Sequence, residues 1–305
     1  MQTHDRRRGV VLVSVLWTMA LLSALAMAAA TTFRGFAGVL SVEHDRLQAA
    51  ALQTAGVELA AGLVASSGER PVAEIATAIR LSTGSVSLLI TDDGGRIDVG
   101  KAPEEVLAGL FRVIGAPDAR AAEAAHAVAA WRNRDNAPAD REVLSAAAKK
   151  KSSRDRPFTD VRQLTQVPGV PPSWLPPIAP LTTVFGNETV NPMTAPADVI
   201  AALPGVDGGR LEAFLETRRA FPNDETRVTA ILGPAQRYAK PAKRQAISVL
   251  ITVVLADGYT SAARAVIVLL PEDAEPYRVL MWTPLPAASG GRAGQEANAC
   301  ACLPS

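Results

Sequence analysis

Three arginines, Arg6, Arg7 and Arg8, stand just before an apolar run at 10–30 that holds no charged residue. About 20 apolar residues at roughly 1.5 Å per helical residue match the thickness of a bilayer's hydrocarbon core. The basic flank sets the orientation: the arginines stay on the cytoplasmic side and the bulk of the chain lies across the membrane. Within the run, Val10, Leu12, Trp17, Leu21 and Leu25 are expected to meet lipid.

Two general readings fit such a start. A cleaved secretory signal peptide has an apolar region of about 7–15 residues and ends at a small-residue cleavage site. This run is longer, and a helical pattern continues past it. A plain signal anchor is the other reading. The junction Arg8-Gly9-Val10-Val11-Leu12 adds something more specific, a basic leader ending in glycine directly against the apolar run. It resembles the type IV prepilin signal. That resemblance implies cleavage after Gly9 by a membrane protease on the cytoplasmic side, with Val10 as the new N-terminus. The fifth mature residue is then Ser14, where major pilins and most pseudopilins carry a glutamate thought to pair with the terminal amine of a neighbouring subunit. An unpaired carboxylate inside a membrane helix is costly, so it persists where it has a partner. A subunit with nothing stacked above it has no need of one.

The remaining length allows one large or two small domains beside the anchor, in a chain of 305 residues. A formal net charge of +1 gives no general argument for nucleic acid or for acidic surfaces. Cys300 and Cys302 form a C-x-C pair near the end, cramped for a mutual disulfide and too few for a scaffold. His4, His44 and His126 are scattered singly, with no metal-ligand spacing.

Taken in order, the helical pattern extends from residue 31 to about Ser66. Phe33, Phe36, Leu40, Leu47, Ala51, Ala55, Leu59 and Leu63 recur at steps near three and four, and Glu43, Asp45, Arg46, Gln48, Gln53 and Glu58 fall between them. Such a helix needs a sheet to cover its apolar stripe. A strand is predicted over 85–91, followed by a turn at Asp92-Asp93-Gly94-Gly95 and a return strand over 96–99. Further strands are predicted at 245–256, 259–270 and 277–282, the first two joined by Asp257-Gly258, a strong hairpin signal. Between them lies a helical stretch, with helices expected at 103–114, 119–131, 141–151 and 209–219. Two punctuation marks, Val167-Pro168-Gly169-Val170 and Leu203-Pro204-Gly205-Val206, suggest a weak internal repeat of helical hairpins. From 284 onward, proline, alanine and glycine with polar interruptions read as disordered.

The order of several segments is similar to that of the type II secretion minor pseudopilin K family. They are Gly94-Gly95-Arg96-Ile97-Asp98, Pro157-Phe158, 164–170, Thr183-Val184-Phe185-Gly186, the stretch Val190-Asn191-Pro192-Met193-Thr194-Ala195-Pro196, and 199–203. That family is the one whose members lack the fifth-position glutamate. The resemblance covers about 9–282. It implies an α+β fold, with a type IV pilin-like N-terminal helix on an antiparallel sheet and a large helical, SAM-like or helix-hairpin-like, inserted domain. The expected divisions are a leader at 1–9, a membrane helix at 10–30, helix and first strands at 31–100, the insert at 101–240, C-terminal strands at 241–283, and a tail at 284–305. It further implies an inner-membrane protein with its bulk in the periplasm. Its expected partners are prepilin peptidase, the inner-membrane assembly platform, the major pseudopilin and the I-, J- and H-type minor pseudopilins.

Family members also bind calcium in loops of the helical domain. Where they usually carry a DWxDxD-like segment, this chain has Ala130-Trp131-Arg132-Asn133-Arg134-Asp135-Asn136. Calcium takes about six to eight oxygens and favours clustered carboxylates. Asp135, Asn136, Asp140 and Glu142 remain as candidate ligands beside two arginines, so a solvated loop is favoured over a complete site. Two readings from other classes are weaker. The 203–219 stretch resembles a DNA-binding helix-hairpin-helix of membrane-anchored competence proteins. Its third hairpin position is Asp207, however, and Glu212 and Glu216 offset Arg210, Arg218 and Arg219. Catalysis is not expected: Asp92, Asp93 and Asp98 read as turn aspartates bonding their own backbone, and no nucleophile–base order or phosphate loop is present.

Overall fold

A computed structural model describes residues 5–68, 71, 73–135, 158–242, 244, 246–270, 273 and 275–286; side chains at 5–12, 29–39, 41 and 133–135 lie outside the description. One helix, α1 (Asp5–Ser66), runs unbroken for 62 residues, about 93 Å at 1.5 Å per residue. Its last five turns bury Ala49, Gln53, Val57, Ala60, Ala61 and Val64. These positions recur at three- and four-residue steps and so form one face. The stripe expected from the sequence is rotated from this one. Leu40 and Leu47 are exposed, as are Ala51 and Ala55, whereas polar Gln53 faces the sheet and donates to Ser261 Oγ at 3.0 Å. Small residues win the buried face because the helix lies close to the strands: a Cβ at Gly56 would come within 3.1–3.3 Å of Leu88, Ile251 and Val86.

The sheet comprises β1 (Glu74–Leu81), β2 (Gly84–Asp92), β5 (Ile247–Leu255), β6 (Thr260–Leu269) and β7 (Tyr277–Leu285). Its order is β1-β2-β5-β6-β7, and every pairing is antiparallel. Alternation puts Val86, Leu88 and Ile90 of β2 with Val249, Ile251 and Val253 of β5 against α1, in one buried cluster. The β5–β6 hairpin turns at Asp257-Gly258, where Asp257 Oδ1 accepts from the Tyr259 amide at 2.9 Å. The edge strand β1 is not expected from the sequence. Its EIATAIRL pattern is exposed or half-buried at every position, so it lacks the strong apolar alternation of a covered strand.

Central strands β2 and β5 are neighbours in space but 154 residues apart in the chain: residues 93–246 leave the sheet and return to it. The return strand expected at 96–99 does not pair back on β2, whose two edges are taken by β1 and β5. A one-turn 3-10 helix, Asp93–Gly95, redirects the chain. The short strand β3 (Ile97–Asp98) instead runs parallel to β4 (Thr182–Thr183) in a separate two-stranded ladder.

That ladder opens a helical lobe: α2 (Glu104–Val113), α3 (Asp118–Asp135), α4 (Leu175–Ile178), α5 (Ala197–Ala201), α6 (Gly208–Ala220) and α7 (Glu225–Ala230), with 3-10 turns between. Leu107, Leu110, Phe111, Phe158, Ile200, Phe214 and Leu232 form its core, separate from the helix–sheet core. The two Pro-Gly marks fold alike. Gly169 has φ 90° and Gly205 φ 84°, and the following valine amide closes each turn at 3.2 Å on Val167 O and on Leu203 O. A type II turn requires positive φ at its third position, which glycine supplies, and favours proline at its second. The helix expected at 141–151 and the tail from 287 onward lie outside the described residues, whereas 284–285 belong to β7.

Candidate functional site

The first feature with functional content is the bare half of α1. Every residue from Val13 to Ala28 is exposed, including Trp17 at 74%, Leu21 at 70% and Leu25 at 68%. Contiguous apolar surface on this scale is rare on soluble monomers and marks contact with a membrane or another protein. Thr18 does not interrupt it, since its hydroxyl donates to Val15 O at 2.9 Å within the helix. Ser14 lies exposed on the same segment, and Gly9, Val10 and Leu12 sit on the first turns of α1, their side chains outside the description.

Among the described residues, the stretch long and apolar enough to cross a bilayer is a later part of the same helix, Val42–Ser66, and Val13–Ala28 is a shorter apolar one. The later part carries Glu43, Asp45, Arg46 and Glu58, and its far end packs on the sheet. That part is the core helix of the α+β body. The uncharged Val13–Ala28 segment, by contrast, is exposed at every residue.

The second feature is a polar junction where the lobe leaves the sheet. Asp93 is 1% exposed and ties its own turn to two distant strands. Its Oδ2 accepts from Thr183 Oγ1 at 2.8 Å, and its Oδ1 accepts from Ser248 Oγ at 2.7 Å and from Arg96 Nη1 at 3.1 Å. Arg96 in turn donates to Thr91 Oγ1 at 2.8 Å. Asp92 and Asp98 behave as turn aspartates, accepting from the Gly94 amide at 2.9 Å and the Gly100 amide at 2.8 Å. The sequence groups Asp93 with them; its long-range role follows from the redirecting 3-10 turn, which aims its side chain inward. Nearby, Arg244 donates to Val64 O and Gly68 O at 3.3 and 3.4 Å. It places a cation at the C-terminal end of α1, where the helix dipole favours one.

Asp98 is 1% exposed. Its Oδ2 accepts no hydrogen bond among the described residues and has Lys101 Nζ at 3.7 Å. Burial raises its carboxyl above the ordinary 3.8, with Lys101 opposing the shift. A carboxyl whose folded-state pKa is raised contributes stability that is fully present below the unfolded pKa and is lost as pH rises through the folded value. Asp98→Asn keeps the acceptor for Gly100 and removes the buried charge. We expect it to stabilise the protein at about pH 7 by roughly 1–2 kcal/mol, within the range for relieving a poorly satisfied buried group. The gain should vanish near pH 3. Thermal melts at both pH values test this, and a loss of stability at pH 7 would show that the Lys101 pair outweighs the burial cost.

Arg132, read in the sequence as a charge hostile to a metal, is half-buried and donates to Ala102 O at 2.9 Å. The calcium candidates Asn136, Asp140 and Glu142 lie outside the described residues, as does the side chain of Asp135. Among the described residues no cluster of three metal-ligating side chains occurs. At the helix-hairpin-like stretch, Asp207 Oδ1 accepts from the Arg210 amide at 2.8 Å, and the Arg210 guanidinium folds back to Gly205 O. A carboxylate therefore occupies the helix N-terminus that a DNA phosphate would need.

No protein-family model and no curated protein matches this chain.

Proposed function

We propose that this chain is a K-type minor pseudopilin of a type II secretion system, acting at the tip of a short periplasmic fibre. The observation that carries the reading is α1: one continuous helix whose Val13–Ala28 stretch is bare, uncharged and apolar, and whose later stretch, Ala49–Val64, is in the core of an antiparallel α+β body. A pilin-type subunit needs this division, because the same helix rests in the inner membrane before assembly and packs against other subunits afterwards. In this reading prepilin peptidase cuts after Gly9, residues 10–30 span the inner membrane, and the sheet and helical lobe lie in the periplasm. The I-, J- and H-type minor pseudopilins, the major pseudopilin and the inner-membrane assembly platform are its partners. The lobe, inserted between central strands, widens the body and blocks a subunit from stacking above. The competing DNA-binding reading has less support, given the Asp207 cap.

Ser14 tests tip against shaft. A serine hydroxyl inside a membrane helix can bond a carbonyl one turn earlier and so costs little in lipid. Ser14→Ala is expected to leave assembly and secretion near wild type. Ser14→Glu places in the membrane a carboxylate worth about +3 kcal/mol at a helix centre, with no amine from a subunit above to meet it. It should reduce incorporation. Copies per fibre, counted by quantitative immunoblotting of sheared fibres, decide the matter. Many copies of Ser14→Glu along the shaft would mean that this position, not the lobe, controls placement. Co-purification of the detergent-solubilised full chain with I- and J-type partners is the companion measurement, and elution as separate species would count against the tip reading.

A further inference from the structure

A cleft of about 290 Å³ lies between the lobe and the sheet face opposite α1. Its walls are largely apolar, with Leu175, Phe185, Val266 and Met281 among them, and one side carries Arg96, Arg162 and Arg264 beside Asp93 and Asp160. Two of these guanidinium groups are already engaged. Arg96 is held by Asp93 and Thr91, and Arg162 forms a fork on Asp160 at 2.8 and 3.0 Å. Arg264 is half-buried, and its guanidinium makes no hydrogen bond to any described residue. Its β6 neighbours Ala263 and Ala265 are buried, and alternation along the strand turns Arg264 to the cleft face with Val266. Of the three cleft arginines, it is the one whose donors are left for something else.

We propose that this cleft binds a monoanionic carboxylate joined to a compact apolar group, with Arg264 as the anion-binding residue. A guanidinium fork matches a carboxylate's two oxygens, and the pairing is strongest where water is partly excluded. Three guanidinium groups against two carboxylates leave one net positive charge, which a monoanion neutralises. A dianion such as phosphate would be repelled by Asp93 and Asp160. The volume sits at the small end for ligand sites, which suits one residue-sized group and excludes a long acyl chain. Such a carboxylate is presented by the terminal residue of a polypeptide or by a free short-chain acid. The site stands apart from the bare helix and does not depend on the secretion reading.

The test uses the full chain in lipid nanodiscs, with empty nanodiscs as the blank and ligand-observed NMR as the readout. N-acetyl-leucine and 4-methylpentanoate are titrated beside N-acetyl-leucinamide and inorganic phosphate. Saturable binding of an acid is expected, with a dissociation constant on the order of 1 mM for so small a ligand, and the amide should bind about tenfold more weakly. Arg264→Gln should weaken the acid about tenfold, and Arg264→Lys less, with melting curves confirming that both variants fold. Tighter binding of N-acetyl-leucine identifies a chain terminus as the source; tighter binding of 4-methylpentanoate identifies a free acid. Equal binding of acid and amide, preference for phosphate, or no saturation in the wild-type chain overturns the proposal whatever the variants do.

Discussion

Gly109→Ala should unfold the helical lobe or destabilise it by about 3 kcal/mol or more. Helix α2 crosses the end of α5 at this glycine, and a Cβ there would run into the carbonyl oxygen of Ala202. The obstacle is backbone, so no rotamer change relieves it, and two helices must separate. Overpacking in a close-packed interior commonly costs about 1–3 kcal/mol, and a clash with a main-chain carbonyl belongs at or above the top of that range. Gly62→Ala is the matched control. Gly62 lies inside α1, and a methyl group added there would meet no other atom within 4 Å. Alanine should there stabilise by about 0.5–1 kcal/mol through helix propensity. Denaturant unfolding of both variants gives opposite signs if the packing is as described; a Gly109→Ala protein within about 0.5 kcal/mol of wild type would contradict the α2–α5 contact.

The second large effect concerns processing, and it is close to all-or-none. When the chain is coexpressed with a prepilin peptidase, mass spectrometry of the product should show an N-terminus at Val10. A terminus near 28–31 would instead indicate an ordinary signal peptide. Gly9→Val should abolish the cut, because a branched side chain occupies space where the protease must approach the backbone. The residue also stands at the boundary between the charged leader and the uncharged run. Uncut precursor would keep its three arginines at the cytoplasmic surface and remain in the membrane fraction. Cleavage of Gly9→Val at the wild-type rate would remove the main sequence support for a prepilin.

Both predictions rest on features that differ in how openly the sequence displays them. The long helix, the three C-terminal strands and the Asp257-Gly258 turn are readable because periodicity and turn chemistry are local. So are the paired Pro-Gly turns, whose glycines both take positive φ. The helix face is legible only in part: Leu59 and Leu63 of the expected stripe pack on the sheet core, whereas Leu40, Leu47, Ala51 and Ala55 are exposed. Strand β1 escapes notice because an edge strand with no fully covered face needs no apolar alternation. The partners of Asp93 and the isolation of Arg264 are not legible at all. Thr183 and Ser248 lie 90 and 155 residues from Asp93, and nothing near Asp93 in the chain announces them.

The absence of any break between the bare and packed halves of α1 has a mechanical consequence. A pull along the helix axis reaches the sheet with no slack to take up, as a flexible linker would have. The packed seam from Ala49 to Val64 is about 24 Å long and lies along the direction of load. Force is therefore shared as shear over all its contacts at once and does not peel them singly. Arg244 grips the far end of the helix. A subunit drawn out of a bilayer in this way would carry its sheet along with the helix from the first increment of pull.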